Sequence, residues 1–193
     1  LWEMNPDGTG ITQVTSISGG VNNFGYSPTL SHIWYASDVT LDKKPSEIYP
    51  DLPKTDGARI IDGLMYRHWN AWHDYAYAHL FLATYANGTA GTGVDLMQNE
   101  RWDCPTAPFG GDEQIMFSPD GKKLAYTCKK LNGTAAAVST NTDIYIYDLT
   151  AGTTSNLTQG MNGYDNDPCW SPDGKKILWL SMEMAGYESD RNR

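Results

Sequence analysis

Ten residues of this chain occur twice in nearly the same form. The run Phe117-Ser118-Pro119-Asp120-Gly121-Lys122-Lys123-Leu124-Ala125-Tyr126 begins at 117 and returns at 170, a spacing of 53, as Trp170-Ser171-Pro172-Asp173-Gly174-Lys175-Lys176-Ile177-Leu178-Trp179. Its centre encodes a turn. Pro presets φ at the second position, Asp bonds nearby backbone, and Gly accepts the left-handed conformation that reverses the chain. Apolar or β-branched runs predict strands at Gln114 to Phe117 and Leu124 to Cys128 around the first turn, and at Ile177 to Ser181 after the second. A weaker third copy starts at Tyr26-Ser27-Pro28, where Thr29-Leu30-Ser31-His32 replaces Asp-Gly-Lys-Lys ahead of Ile33-Trp34-Tyr35-Ala36. The long gap from there to Phe117 leaves room for an insertion.

A second phrase alternates with the first. Asp143-Ile144-Tyr145-Ile146-Tyr147-Asp148-Leu149-Thr150-Ala151-Gly152, followed by Ser155-Asn156-Leu157-Thr158, predicts another hairpin with its turn near Ala151-Gly152. A cousin opens the chain, Leu1-Trp2-Glu3-Met4-Asn5-Pro6-Asp7-Gly8 followed by Ile11-Thr12-Gln13-Val14-Thr15. One repeat unit therefore holds two hairpins, or four strands, with no helix-period segment between them. That is the pattern of a β-propeller blade. A two-sheet sandwich also explains many short strands but not the recurring pair of phrases. The 193 residues hold about 3.6 such units, fewer than most closed propellers need. The expectation is an all-β partial propeller of three to four blades across 1–193, a fragment of a larger one, with repeat hairpins near 26–37, 114–128 and 167–181. Cut blade edges invite partners, either the remaining blades of a longer parent or a second copy of the chain.

A hydrophobic share of 40% with 12% aromatic residues is ample for a packed core. The formal charge of −9 argues against nucleic acid, which needs basic patches to displace counterions. No apolar stretch approaches the length of a membrane span. Cys104, Cys128 and Cys169 cannot all pair and form no Cys-x-x-Cys motif, so they read as buried fillers, with one disulfide as the alternative in a secreted parent.

Most catalytic signatures are absent: there is no Gly-x-Ser-x-Gly elbow, no phosphate loop and no His-Glu-x-x-His. No catalytic residue and no cofactor is assigned. His68, His73 and His79, with Asp74 nearby, have spacings that match no zinc motif, so no metal site is assigned. The run Tyr66 to His79 reads instead as aromatic strand and loop, part of which could line a substrate pocket, with Trp69 and Trp72 as its candidates. Asp165, Asn166 and Asp167 lack the pattern of a calcium loop and are expected in turn and cap roles. The acidic stretch Glu183, Glu188 and Asp190 offers carboxylates that could pair with a peptide's free amino terminus.

Several ordered phrases resemble one family. Asp62-Gly63-Leu64-Met65-Tyr66-Arg67-His68-Trp69, Pro108-Phe109-Gly110-Gly111-Asp112-Glu113-Gln114-Ile115, Val138 through Tyr145, Gly163-Tyr164-Asp165, and Ser181 through Arg191 look like the propeller of dipeptidyl-peptidase V type enzymes in the prolyl oligopeptidase family. The resemblance implies a propeller joined to a C-terminal α/β-hydrolase domain with a Ser-Asp-His triad, acting on peptides in the periplasm or outside the cell. That domain is absent from this chain, so none of its catalytic residues carries over. By the same analogy Glu183 and Glu188 are the first choices for holding the substrate's amino terminus. The rival reading is a TolB-like propeller that binds another protein and has no catalytic role. A third is a carbohydrate-binding propeller stacking sugars on Trp69, Trp72 and Tyr75.

Overall fold

The computed structural model describes all residues of the chain except Pro53, Asp56 and Glu188. A first hairpin joins β1 (Trp2–Glu3) to β2 (Thr12–Gln13). The next sheet is a meander of β3 (Asn23–Tyr26) and β4 (His32–Thr40), followed after an insertion by later strands. The insertion, 41–75, carries α1 (Pro45–Ile48) and a small hairpin of β5 (Arg67–His68) and β6 (Ala71–Trp72). The meander resumes with β7 (Ala76–Ala86), which pairs along the whole of β4, then with β8 (Thr89–Ala90) and β9 (Val94–Asp95), both on the outer side of β7. A single 3-10 turn at Asp112–Gln114 leads into the second meander, β10 (Ile115–Phe117), β11 (Lys123–Cys128), β12 (Asp143–Asp148) and β13 (Thr153–Asn156), with α2 (Gly133–Val138) between β11 and β12. The last hairpin pairs β14 (Asp165–Trp170) with β15 (Ile177–Ser181).

Strand alternation explains how these sheets stack. In β11, Leu124, Tyr126 and Cys128 point to one face and Ala125 to the other; in β12, Tyr145 and Ile144/Ile146 divide the same way. The first face packs on Trp34, Leu80 and Leu82 of the preceding sheet, and the second packs on Trp170, Ile177 and Trp179 of the following hairpin. The preceding sheet likewise turns Ile33, Tyr35 and Ala83 toward Val14 and Leu1. Each meander is thus buried on both faces by its neighbours in chain order, which is the stacking of propeller blades. The fold is a partial β-propeller: among the described residues, a five-stranded blade, in which β8 and β9 share the outer side of β7, and a four-stranded blade, flanked by one hairpin on each side.

The repeated phrase builds the same turn each time. Ser118 and Ser171 accept from Lys123 N and Lys176 N at 2.9 Å and donate to Asp120 and Asp173 at 2.6 Å, while Gly121 and Gly174 share φ +69°. The weaker copy makes the turn without glycine, putting Leu30 at φ +52°. Successive turns adjoin: Gly121 abuts Thr29, and Gly174 abuts Pro119. In an antiparallel meander the connections alternate between the two ends of the sheet. These tight turns, with those at 87–88 and 150–152, lie at one end. The long connections 41–75, 96–114 and 129–142 lie at the other, with the segment that follows β15.

Candidate functional site

The long connections enclose an open cleft of about 420 Å³. Its walls come from the inserted hairpin and the residues after it (Arg67, His68, Trp72, His73, Tyr77), from 101–108, and from 129–136. Asp42, at the start of the insertion, ties two of these walls together. It accepts from Arg101 Nε at 2.7 Å and from the Tyr77 hydroxyl at 2.7 Å, with His73 Nε2 at 3.4 Å. Burial alone would raise the Asp42 pKa, but these three partners outweigh it and hold the carboxyl below its usual range. Behind the cleft, Lys130 pairs with Glu100 at 2.6 Å and sits over the rings of Tyr145 and Trp102, at 4.6 and 5.4 Å from their centroids.

Asp103 is a half-buried acid of the cleft. Its Oδ1 accepts the Ala78 N–H at 2.9 Å, and burial pushes its pKa up despite that bond. Trp102, its neighbour, keeps a buried indole N–H without a partner among the described residues. Deeper still, His79 is fully buried between Asp95 Oδ2 and the Glu100 carbonyl, each at 2.8 Å from a ring nitrogen. Both neighbours offer acceptor oxygens, to which a protonated ring donates from each nitrogen; burial opposes that charge, but the two contacts outweigh it and raise the His79 pKa.

The structure distributes the residues singled out from sequence. Trp72 lines the cleft, stacked on Tyr66 at 5.8 Å with the Arg59 guanidinium 4.9 Å from its ring centroid. Trp69 stands outside it at 71% exposure, edge-on to Phe109 at 5.3 Å. Glu183 also lies outside, exposed and paired with Arg193, in a segment whose Gly186 N–H reaches Thr140 Oγ1 at 3.1 Å. Glu188 lies outside the described residues. Of the three histidines, His68 and His73 line the cleft while His79 is enclosed in its blade, and no group of three His, Cys, Asp or Glu among the described residues could hold a metal ion.

Two expectations are corrected. Asp165 and Asn166 are not turn or cap residues: they are buried in β14, where Asp165 accepts from Trp179 Nε1 at 3.0 Å and Asn166 from Gln114 Nε2 at 2.9 Å. Both pair in regular register with β15, and the register shift comes after them, between Asn166 and Cys169. Of the cysteines, only Cys104 and Cys128 are buried fillers; Cys169 is exposed, and all three are free thiols. Asp42, Arg101 and Asp103 were missed because no spacing in the chain connects 42 with 101.

No protein-family model matches the chain. It is 46% identical over 175 residues, 91% of its length, to the dipeptidyl-peptidase 5 of Porphyromonas gingivalis, and 45% identical over 185 residues, 96% of its length, to that of Porphyromonas endodontalis. The chain is homologous to one segment of these dipeptidyl-peptidase 5 proteins. It spans about a quarter of these relatives, 25% and 26% of their lengths. A probable dipeptidyl-peptidase 5 of Aspergillus niger is 29% identical over 180 residues, covering 82% of this chain and 24% of its own. Among solved structures, TolB from Acinetobacter baumannii aligns with 93% of the chain and 31% of its own at 19% identity, with a TM-score of 0.48. Seen as a dipeptidyl-peptidase 5 segment, the chain contributes blades and the long-loop cleft. Among the described residues, no helix is long and apolar enough to cross a membrane.

Proposed function

We propose that this chain is propeller structure of a secreted or periplasmic serine exopeptidase that releases dipeptides, and that its long-loop end governs how peptides reach the catalytic domain. The carrying observation is the 46% identity to a protein named dipeptidyl-peptidase 5 over 91% of the chain. In this reading the nucleophile and its His and Asp partners lie in an α/β-hydrolase domain of the parent, and this segment supplies access and recognition. Substrate contacts fall to the long-loop end. Glu183 and Glu188 pair with the substrate ammonium, which displaces Arg193 from Glu183, while Trp69 and Trp72 pack against substrate side chains.

The reading is tested by the intact mass of the native protein, coupled to cleavage of dipeptidyl chromogenic substrates before and after a serine-directed inhibitor. A species much heavier than 21.4 kDa with inhibitor-sensitive dipeptide release is expected. A native mass equal to this chain, with no release, overturns the proposal.

A further inference from the structure

The inserted segment and the 101–108 wall meet at both ends of the cleft. At the base, Asp42 Oδ1 accepts from Arg101 Nε at 2.7 Å, and the same guanidinium reaches the Leu41 carbonyl at 3.5 Å. At the tip, Trp69 stands edge-on to Phe109 at 5.3 Å. Between these contacts Trp72 lines the cleft from one side, and Trp102 and Asp103 line it from the other. Asp42 is a fixed point of the blade: the N–H groups of Leu41 and Asp42 donate to the Tyr75 carbonyl at 3.1 and 3.2 Å, and the Tyr77 hydroxyl donates to Asp42 Oδ2 at 2.7 Å. Arg101 immediately precedes Trp102 and Asp103, so its hold on Asp42 sets where those two side chains enter the cleft. The pair is partly exposed, 53% at Arg101 and 30% at Asp42, and such ion pairs contribute little to stability. Its guanidinium nevertheless spans two acceptors, a fork that a lysine ammonium does not reproduce. A contact with little effect on stability and a defined geometry is suited to positioning.

We infer that Asp42 and Arg101 are positioning residues for peptide binding: their pair sets the separation of the cleft's walls, so that a peptide side chain enters a preformed gap between Trp72 and Trp102. Neither residue touches the substrate in this assignment. A preformed gap spares part of the ordering cost of binding. Its loss weakens ground state and transition state alike, which raises KM and leaves kcat unchanged. The choice of a peptide as occupant rests on the peptidase reading; the link between the walls stands without it.

The test is steady-state cleavage of a dipeptidyl chromogenic substrate by the full-length protein and by its Asp42→Asn, Arg101→Gln and Asp42→Asn/Arg101→Gln variants. Each single variant is expected to raise KM about threefold to tenfold, the size of one partly exposed charge-assisted hydrogen bond, with kcat within about twofold. The double variant should match the singles, since each residue acts through the other. Arg101→Lys should recover part of the loss, because it keeps the charge and gives up the fork. Arg101 is the more exposed partner, so its variants give a readout even if Asp42→Asn does not fold. Additive effects of the two substitutions, an unchanged KM, or a fall in kcat equal to the fall in kcat/KM overturns the inference. A wild-type protein that releases no dipeptide counts against the peptidase reading instead. Amide hydrogen exchange across 101–108 in the same variants then decides the link: faster exchange than in the wild type supports it, and equal exchange overturns it.

Discussion

At one end of the blades, Ser118 and Ser171 each accept from a lysine N–H and donate to an aspartate, and the corresponding distances coincide. At the other end no two connections are alike: one holds a 41–75 insertion with its own hairpin, another a 3-10 turn, another α2. The turn end is short, polar and closed by its own side chains. The long-loop end leaves Trp69 and Phe109 more than two-thirds exposed and gathers the charged cleft. The comparison teaches a division of labour. Blade faces and turns hold the fold, and the irregular end, free of register constraints, is where recognition groups can collect.

The largest expected effect lies between the blades. Leu124 is fully buried where two sheets meet, and Leu124→Ala should cost about 2–5 kcal/mol in chemical denaturation of the full-length protein. A loss below 1 kcal/mol would mean that this seam does not carry the stability assigned to it. A pH titration of stability probes the blade edge beside the cleft. The His79 pKa is raised above its ordinary 6.5, so its contribution is complete below about pH 6.5 and is lost as pH rises through the folded value. Stability should fall on that side, and His79→Gln should flatten the dependence; an unchanged slope would remove the imidazolium from the account.

Smaller effects separate the turns from one another. Ser118 is buried and Ser171 is not, so Ser118→Ala should cost about 1–2 kcal/mol and Ser171→Ala less than about 1, although both share the bonds to lysine and aspartate and Ser118 adds only a longer contact to the Lys123 carbonyl at 3.3 Å. In the weaker copy Leu30→Gly should stabilise by about 1 kcal/mol, because a side chain at φ +52° is strained where glycine is not. The smallest change is expected at the long-loop end: Trp69→Ala should leave stability within about 0.5 kcal/mol. A large loss there would erase the contrast between the two ends.

The turns and most strands were legible because their chemistry is local. Ser-Pro-Asp-Gly specifies its own hydrogen bonds, and the alternation in Asp143 to Asp148 specifies two faces. Even the glycine-free copy keeps its turn, since Ser27 still accepts the His32 N–H at 3.1 Å. What escaped depends on distant partners. The burial of Asn166 is explained by Gln114, far away in sequence, and the cleft by three separate connections. Glu183 and Trp69 were chosen by residue type, yet type does not say which side of α2 or of the small hairpin a residue faces.

The insertion leaves and re-enters its blade at facing positions, Thr40 opposite Ala76. A loop whose ends are pinned together by a ladder adds only about 0.6 kcal/mol of closure cost for each doubling of its length. The blade is therefore indifferent to what is carried between these two residues. It acts as a socket: the segment can be shortened, lengthened or exchanged for another recognition element while β4 and β7 keep their register.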